Sequence, residues 1–349
     1  MKQEHTLILQ ACLVDKSDEE IDQISNLLSS KLDWCEIAGQ LLNHRLGGYF
    51  YFGLTQEQRK HVPKEVIKAL ELLIYAQKVQ TQSRMKTIME INQVLTESNI
   101  HFAMLKGTVF IADVYTELGS RRSNDIDIMV KEDDLPELDK ILRNRGYIQT
   151  NQSEGEELKE ASKKEKLIQR MNYHDLVPYV KQEESDISEI DINFLFDSKD
   201  NLIDDQVFGY EMREYAYGDY SVTGLPIYLH LAHLCIHFHR EGTNTLWTNE
   251  KRDVVIYKVV DIINSLRKHI KEINIDDWCN LMKDLNLQKQ CYYTFFVLSQ
   301  FYNNGNIEKI TEHLKPSDSE YVNNIKVEGT KETKQRERTF LEDAFDCKR

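Results

Sequence analysis

Two aspartates one residue apart, Asp125 and Asp127 in the run Asp125-Ile126-Asp127-Ile128-Met129-Val130, are the residues of this sequence best suited to chemistry. The alternation of acid and isoleucine is the period-two pattern of a strand, in which residues two apart share a face. The two carboxylates then stand side by side, about 7 Å apart at Cα. Neighbouring carboxylates repel and raise each other's pKa unless a cation lies between them. Hard divalent cations with oxygen ligands, Mg²⁺ above all, meet that need. Upstream, the apolar residues 102–105 end in Lys106-Gly107-Thr108, ahead of apolar residues at helical spacing from Val109 to Leu118. Glycine after a strand lets a ligand approach the backbone, and the free N–H groups of a following helix favour phosphate. A polar loop with Arg121 and Arg122 joins this turn to the aspartates. A phosphate cradle beside metal-binding carboxylates makes a site for a nucleoside triphosphate with its metal. The bland alternative is a solvated acidic turn after an ordinary strand, which gives no reason for the glycine turn or the arginines.

These motifs resemble the nucleotidyltransferase superfamily of the polymerase-beta type, whose pattern is hydrophobic-Gly-Gly/Ser, a helix, then Asp-hydrophobic-Asp/Glu. More narrowly, they resemble a bacterial group carrying LKG, an arginine-bearing loop and DIDILV. Lys106, Gly107, Arg121, Asp125, Asp127 and the trailing Arg145-Gly146-Tyr147 stand where that group has them. The resemblance implies an α+β fold, a mixed sheet with helices, flanked by N-terminal and C-terminal helical regions. It also implies transfer of a nucleoside monophosphate from an NTP to an acceptor hydroxyl, releasing pyrophosphate.

Such enzymes place a third carboxylate on a strand beside the first two. In residues 187–196, Glu189, Asp191 and Asn193 share one face by parity, and Ile190, Ile192 and Phe194 the other. Asp191 aligns with the group's aspartate, and Glu189 is the reserve. The implied catalytic acids and metal ligands are therefore Asp125, Asp127 and Asp191, holding two Mg²⁺ ions, with Mn²⁺ as a substitute. The implied nucleotide-binding residues are Lys106, Gly107, Thr108, Arg121 and Lys258. Glu189, His237, Asp253 and Asp261 are candidates for the acceptor base or the cleft wall. Three departures stand out. Thr108 replaces the usual serine but keeps the hydroxyl. Asn193 stands where the group often has histidine. The interval from Gly107 to Asp125 is long, which predicts an extended helix between them.

Length and composition set the outer bounds. A chain of 349 residues with 41% hydrophobic and 29% charged residues is that of a soluble globular protein with one large or two modest domains. A net charge of −14 disfavours a nucleic-acid backbone as partner and leaves a small molecule, a peptide or a protein as acceptor. Six scattered cysteines without CxxC spacing suit a reducing cytoplasm. No leader pattern opens the sequence, and no stretch approaches the roughly 20 apolar residues of a membrane span.

The pattern divides the chain into a helical region at 1–97, an α/β core at 98–224, a helical region at 225–327 and a charged tail at 328–349 that reads as frayed. Ser17 and Asp33 read as helix caps, Pro63 as the first turn of a long helix, and Gly47-Gly48 as a helix stop. Residues 151–166 read as an exposed loop or surface helix, residues 174–180 as a strand with Pro178 at its edge or start, and residues 181–186 as a hairpin-like turn. Two rival functions remain. His230, His233 and His237 share a helical face and suggest a zinc hydrolase. A non-catalytic nucleotide-binding regulator on the same scaffold is the other.

Overall fold

The computed structural model describes residues 1–151, 158–182 and 187–346. Among these are 17 α-helices and nine strands. They group into two compact units. The first contains Met1–Ala76, Gly119–Arg121 and Leu231–Arg349, and the second Gln77–Leu118 and Arg122–His230.

The first unit opens with α1 (Gln3–Ala11), α2 (Asp18–Leu28), α3 (Trp34–Asn43), α4 (Gly47–Gly53), α5 (Gln56–Arg59) and the start of α6 (Lys64–Glu97). Ser17 and Glu20 close a capping box on α2, and the Asp33 carboxylate accepts from the Cys35 and Glu36 N–H groups to cap α3. The two glycines at 47 and 48 do not stop α3. That task falls to Arg45, which turns left-handed at φ 56°, while Leu46 N–H bonds back to the Leu41 carbonyl. Gly47 and Gly48 begin α4 instead, because a Cβ on Gly48 would lie 2.2 Å from the Gly119 oxygen and 2.4 Å from the Ser120 oxygen.

The second unit carries the sheet. In chain order it holds β1 (Phe102–Met104), α7 (Lys106–Phe110), β2 (Ile126–Val130), α8 (Leu135–Asn144), β3 (Ile148–Gln149), α9 (Lys163–Asn172), β4 (Tyr179–Gln182), β5 (Ile187–Asn193), α10 (Asp204–Phe208), β6 (Arg213–Tyr217) and β7 (Tyr220–Gly224). The strands form one seven-stranded sheet in the order β3-β4-β5-β2-β1-β7-β6. It is mixed: β1 is antiparallel to β2 and parallel to β7, and β2 is parallel to β5. Ile126, Ile128, Ile190 and Ile192 face a core completed by Ile88, Ile91 and Leu95 of α6 and Leu138 and Leu142 of α8. Each buried isoleucine contributes about 2 kcal/mol, and together they fix the register that turns the acids to the opposite face.

The long interval after Gly107 is not an extended helix. Helix α7 has five residues, and the chain then runs through turns, with Tyr115 N–H bonding back to the Phe110 carbonyl. Its apolar residues are buried by packing in irregular backbone, so helical spacing misled there. Strand β4 starts directly after Pro178 and lies inside the sheet. Helix α9 is a capped surface helix with no buried residue. Residues 152–157 and 183–186, which held the rest of the predicted loop and the predicted hairpin turn, lie outside the described residues.

The remaining elements are α11 (Ile227–Gly242), α12 (Thr245–Asn249), α13 (Ile256–His269), α14 (Ile275–Asp284), α15 (Gln288–Phe301), α16 (Gly305–Leu314), the β8–β9 hairpin (Asn324–Lys326 with Thr333–Gln335) and α17 (Phe340–Phe345). From Leu231 on they belong to the first unit. The stretch from 328 to 346, expected to fray, is instead anchored. Arg336, its side chain 2% exposed, pairs with Asp253 and Asp343 and donates to the Gly242 carbonyl, and Thr339 caps α17. Residues 347–349 lie outside the described residues. Among the described residues no helix is long and apolar enough to cross a membrane.

Candidate active site

Strand β1 delivers the chain to Lys106, and Leu105 N–H donates to the Asp127 carbonyl at 3.0 Å, which ties the turn to β2. Parallel pairing of β2 with β5 sets Asp127 directly opposite Asp191. Asp125 stands one residue before β2 on the same parity. Carboxylate oxygens of Asp125, Asp127 and Asp191 lie within 4.8 Å of one another. Asp127 is buried and the other two are half-buried.

The electrostatics follow from this crowding. Burial, then Asp127, Asp125 and Glu189, push the Asp191 carboxyl well above the usual carboxylate range, and Lys106 only partly offsets them. Glu189 is also raised, by burial and by Asp125 and Asp127, with Arg84 acting in the other direction. The Lys106 ammonium donates to Asp127 Oδ1 at 2.6 Å. Burial opposes its charge, but Asp127, Asp125 and Asp191 outweigh burial and raise its pKa. Oxygen donors crowded together in this way, in partial burial, fit a hard divalent cation. Among the described residues this trio is the group of acids, histidines and cysteines able to hold a metal, and His230, His233 and His237 form none.

The turn residues sit beside the trio. Gly107 and Thr108 are buried, and the Thr108 carbonyl accepts from Tyr220 Oη at 2.9 Å. The Thr108 hydroxyl has no hydrogen-bond partner among the described residues, an open polar group in a buried turn.

Other residues named from the sequence lie in the first unit, each beside a charged partner. Arg121 Nε is 2.9 Å from Asp261 Oδ2, whose other oxygen accepts from Tyr49 Oη at 2.9 Å. Lys258 pairs with Glu241, and His237 Nε2 lies 3.3 Å from the same carboxylate. Asp253, fully buried, pairs with Arg336 at 3.0 Å.

A family described as an uncharacterised nucleotidyltransferase matches residues 30–303 of the sequence. The chain belongs to this family. No curated protein matches it. The nucleotidyltransferase match contains the Lys106 turn, all three aspartates and Glu189, so the acid cluster falls inside the shared region.

Arg84 escaped the sequence reading. Its guanidinium donates to the Ser123 carbonyl, two residues before Asp125, and its charge reaches Glu189. A signal was present. Gln77, Thr81, Arg84, Ile88, Ile91 and Leu95 recur at spacings of four and three along α6 and are all buried. An arginine on the buried stripe of a helix needs a polar partner.

Proposed function

We propose that this protein is a metal-dependent nucleotidyltransferase that moves a nucleoside monophosphate from an NTP to a hydroxyl of a small molecule, peptide or protein and releases pyrophosphate. The observation that carries the reading is the convergence of Asp125, Asp127 and Asp191 within 4.8 Å beside the Lys106 turn. The three acids would hold two Mg²⁺ ions, or Mn²⁺ in their place. Bound there, such ions polarise the phosphate and lower the pKa of the acceptor hydroxyl.

Each residue then has a role its surroundings suit. Lys106 counters the charge that develops on departing pyrophosphate. Thr108 turns its open hydroxyl to a phosphate oxygen, and Gly107 lets the phosphates approach the backbone. Glu189, next to Asp191 on β5 and already raised by burial, takes the acceptor proton. Asp253 and Asp261 are each ion-paired with an arginine and are not given this role. Arg121 and Lys258 carry no step here. The net charge of −14 supports a non-nucleic-acid acceptor and the reduced thiols a cytoplasmic setting.

The test is incubation of each α-labelled NTP with Mg²⁺, the protein and a cell lysate, with mass spectrometry of nucleotide adducts and assay of pyrophosphate. Wild type is expected to yield both. Asp125→Asn should lose several kcal/mol of transition-state stabilisation, on the order of 10³-fold in rate. Nucleotide binding without pyrophosphate from any of the four would favour the regulatory reading instead.

A further inference from the structure

Lys106 adopts a left-handed backbone at φ 47°. A residue with a Cβ stays in that region only where its surroundings hold it. Its peptide N–H donates to Nε2 of His230 at 3.2 Å. His230 is fully buried, its ring 5.3 Å from that of Phe110 and 6.3 Å from that of Tyr215. A ring nitrogen that accepts a hydrogen bond carries no proton, so this imidazole is neutral with its proton on Nδ1. From this same turn the Lys106 ammonium reaches Asp127 Oδ1 at 2.6 Å.

We propose that His230 is a positioning residue: it holds the Lys106 turn in its left-handed form and thereby keeps the Lys106 ammonium on the acid cluster. The inference rests on the reading of Asp125, Asp127 and Asp191 as a metal site. An ammonium in contact with Asp127 shares that carboxylate with an incoming divalent ion, and like charges at such range repel. Without the His230 acceptor, the Lys106 peptide relaxes out of the left-handed region and the ammonium leaves Asp127. Metal affinity without nucleotide then rises. Transfer falls, because the ammonium no longer meets the leaving group. A loss of packing alone would do the reverse to metal affinity, so the sign separates the two.

The experiment is titration of the full chain with Mn²⁺, followed by electron paramagnetic resonance in the absence of nucleotide. Lys106→Met is expected to bind Mn²⁺ about fivefold or more tightly than wild type. His230→Ala should reproduce most of that gain. His230→Phe, which fills the ring's space without an acceptor, gives the same reading should the alanine variant fail to fold. His230→Gln, whose amide oxygen replaces Nε2, should stay within about twofold of wild type. The double variant His230→Ala/Lys106→Met should bind no more tightly than Lys106→Met alone. Unchanged or weaker Mn²⁺ binding in the alanine and phenylalanine variants overturns the role of His230, as does a glutamine variant that behaves like alanine. Asp127→Asn should abolish Mn²⁺ binding. If it does not, the metal reading itself fails, which is a distinct result.

Discussion

At the scale of single residues, the acid trio shows a conflict between stability and chemistry. Three carboxylates in one place repel, and burial together with Asp127 and Asp125 holds Asp191 well above its ordinary range. A group whose pKa is raised by folding weakens the fold once pH exceeds its unfolded value. Asp191→Asn should therefore raise the melting temperature of the metal-free protein at neutral pH and remove the further rise expected of wild type on adding Mn²⁺. His44 gives a second residue-scale test. Burial holds its imidazole down to about 4, despite the bond to the Ala344 carbonyl, and its Nδ1 accepts from Ile256 N–H. Since folding lowers this pKa from 6.5, the unfolded chain gains the proton first, and stability is lost as pH falls from about 6.5 to about 4. The loss is about 3 kcal/mol, measurable as the slope of unfolding free energy against pH, and flattened in His44→Leu. Much at this scale was legible. Parity placed Asp191 and Glu189 on one face, and DxD spacing marked their partners. Arg84 showed only as a charge on the buried stripe of α6, and the bond from Lys106 to His230 not at all, because a contact 124 positions away leaves no local pattern.

At the scale of elements, caps and close approaches decide where helices begin and end. Ser17 and Asp33 announced themselves, since a cap is a local hydrogen bond, while Pro63 stands just before α6 rather than inside its first turn. Gly47-Gly48 did not read correctly: the glycines serve a contact with residues 119 and 120 rather than a helix end. Gly48→Ala should cost about 1–3 kcal/mol or more, read as a shift of the denaturation midpoint, because backbone oxygens at 2.2 and 2.4 Å have little room to retreat. The stretch after α7 was also misread. Its apolar residues are buried in turns, and periodicity alone does not separate a buried turn from a buried helix.

At the scale of the whole molecule, the sheet unit and the helical unit each carry their own core, and the fold class was legible because strands and helices cluster along the chain. The charged C-terminal stretch was not, since composition favours solvation unless specific partners neutralise the charge. Arg336 has two such partners in Asp253 and Asp343. Arg336→Met takes that cation from the fully buried Asp253 and leaves Asp343 with the more distant Arg338 at 3.6 Å, and should cost about 3–5 kcal/mol, measured by urea denaturation. The family match and the acid cluster together point to nucleotidyl transfer, and the claim beneath that is metal held by three side chains from β2, β5 and the residue before β2. Anomalous diffraction from crystals grown with Mn²⁺ and a non-hydrolysable NTP tests it directly. The account predicts peaks bridging Asp125, Asp127 and Asp191, with Lys106 turned toward phosphate. Bare carboxylates at saturating Mn²⁺ and nucleotide, with Lys106 still on Asp127, would contradict it.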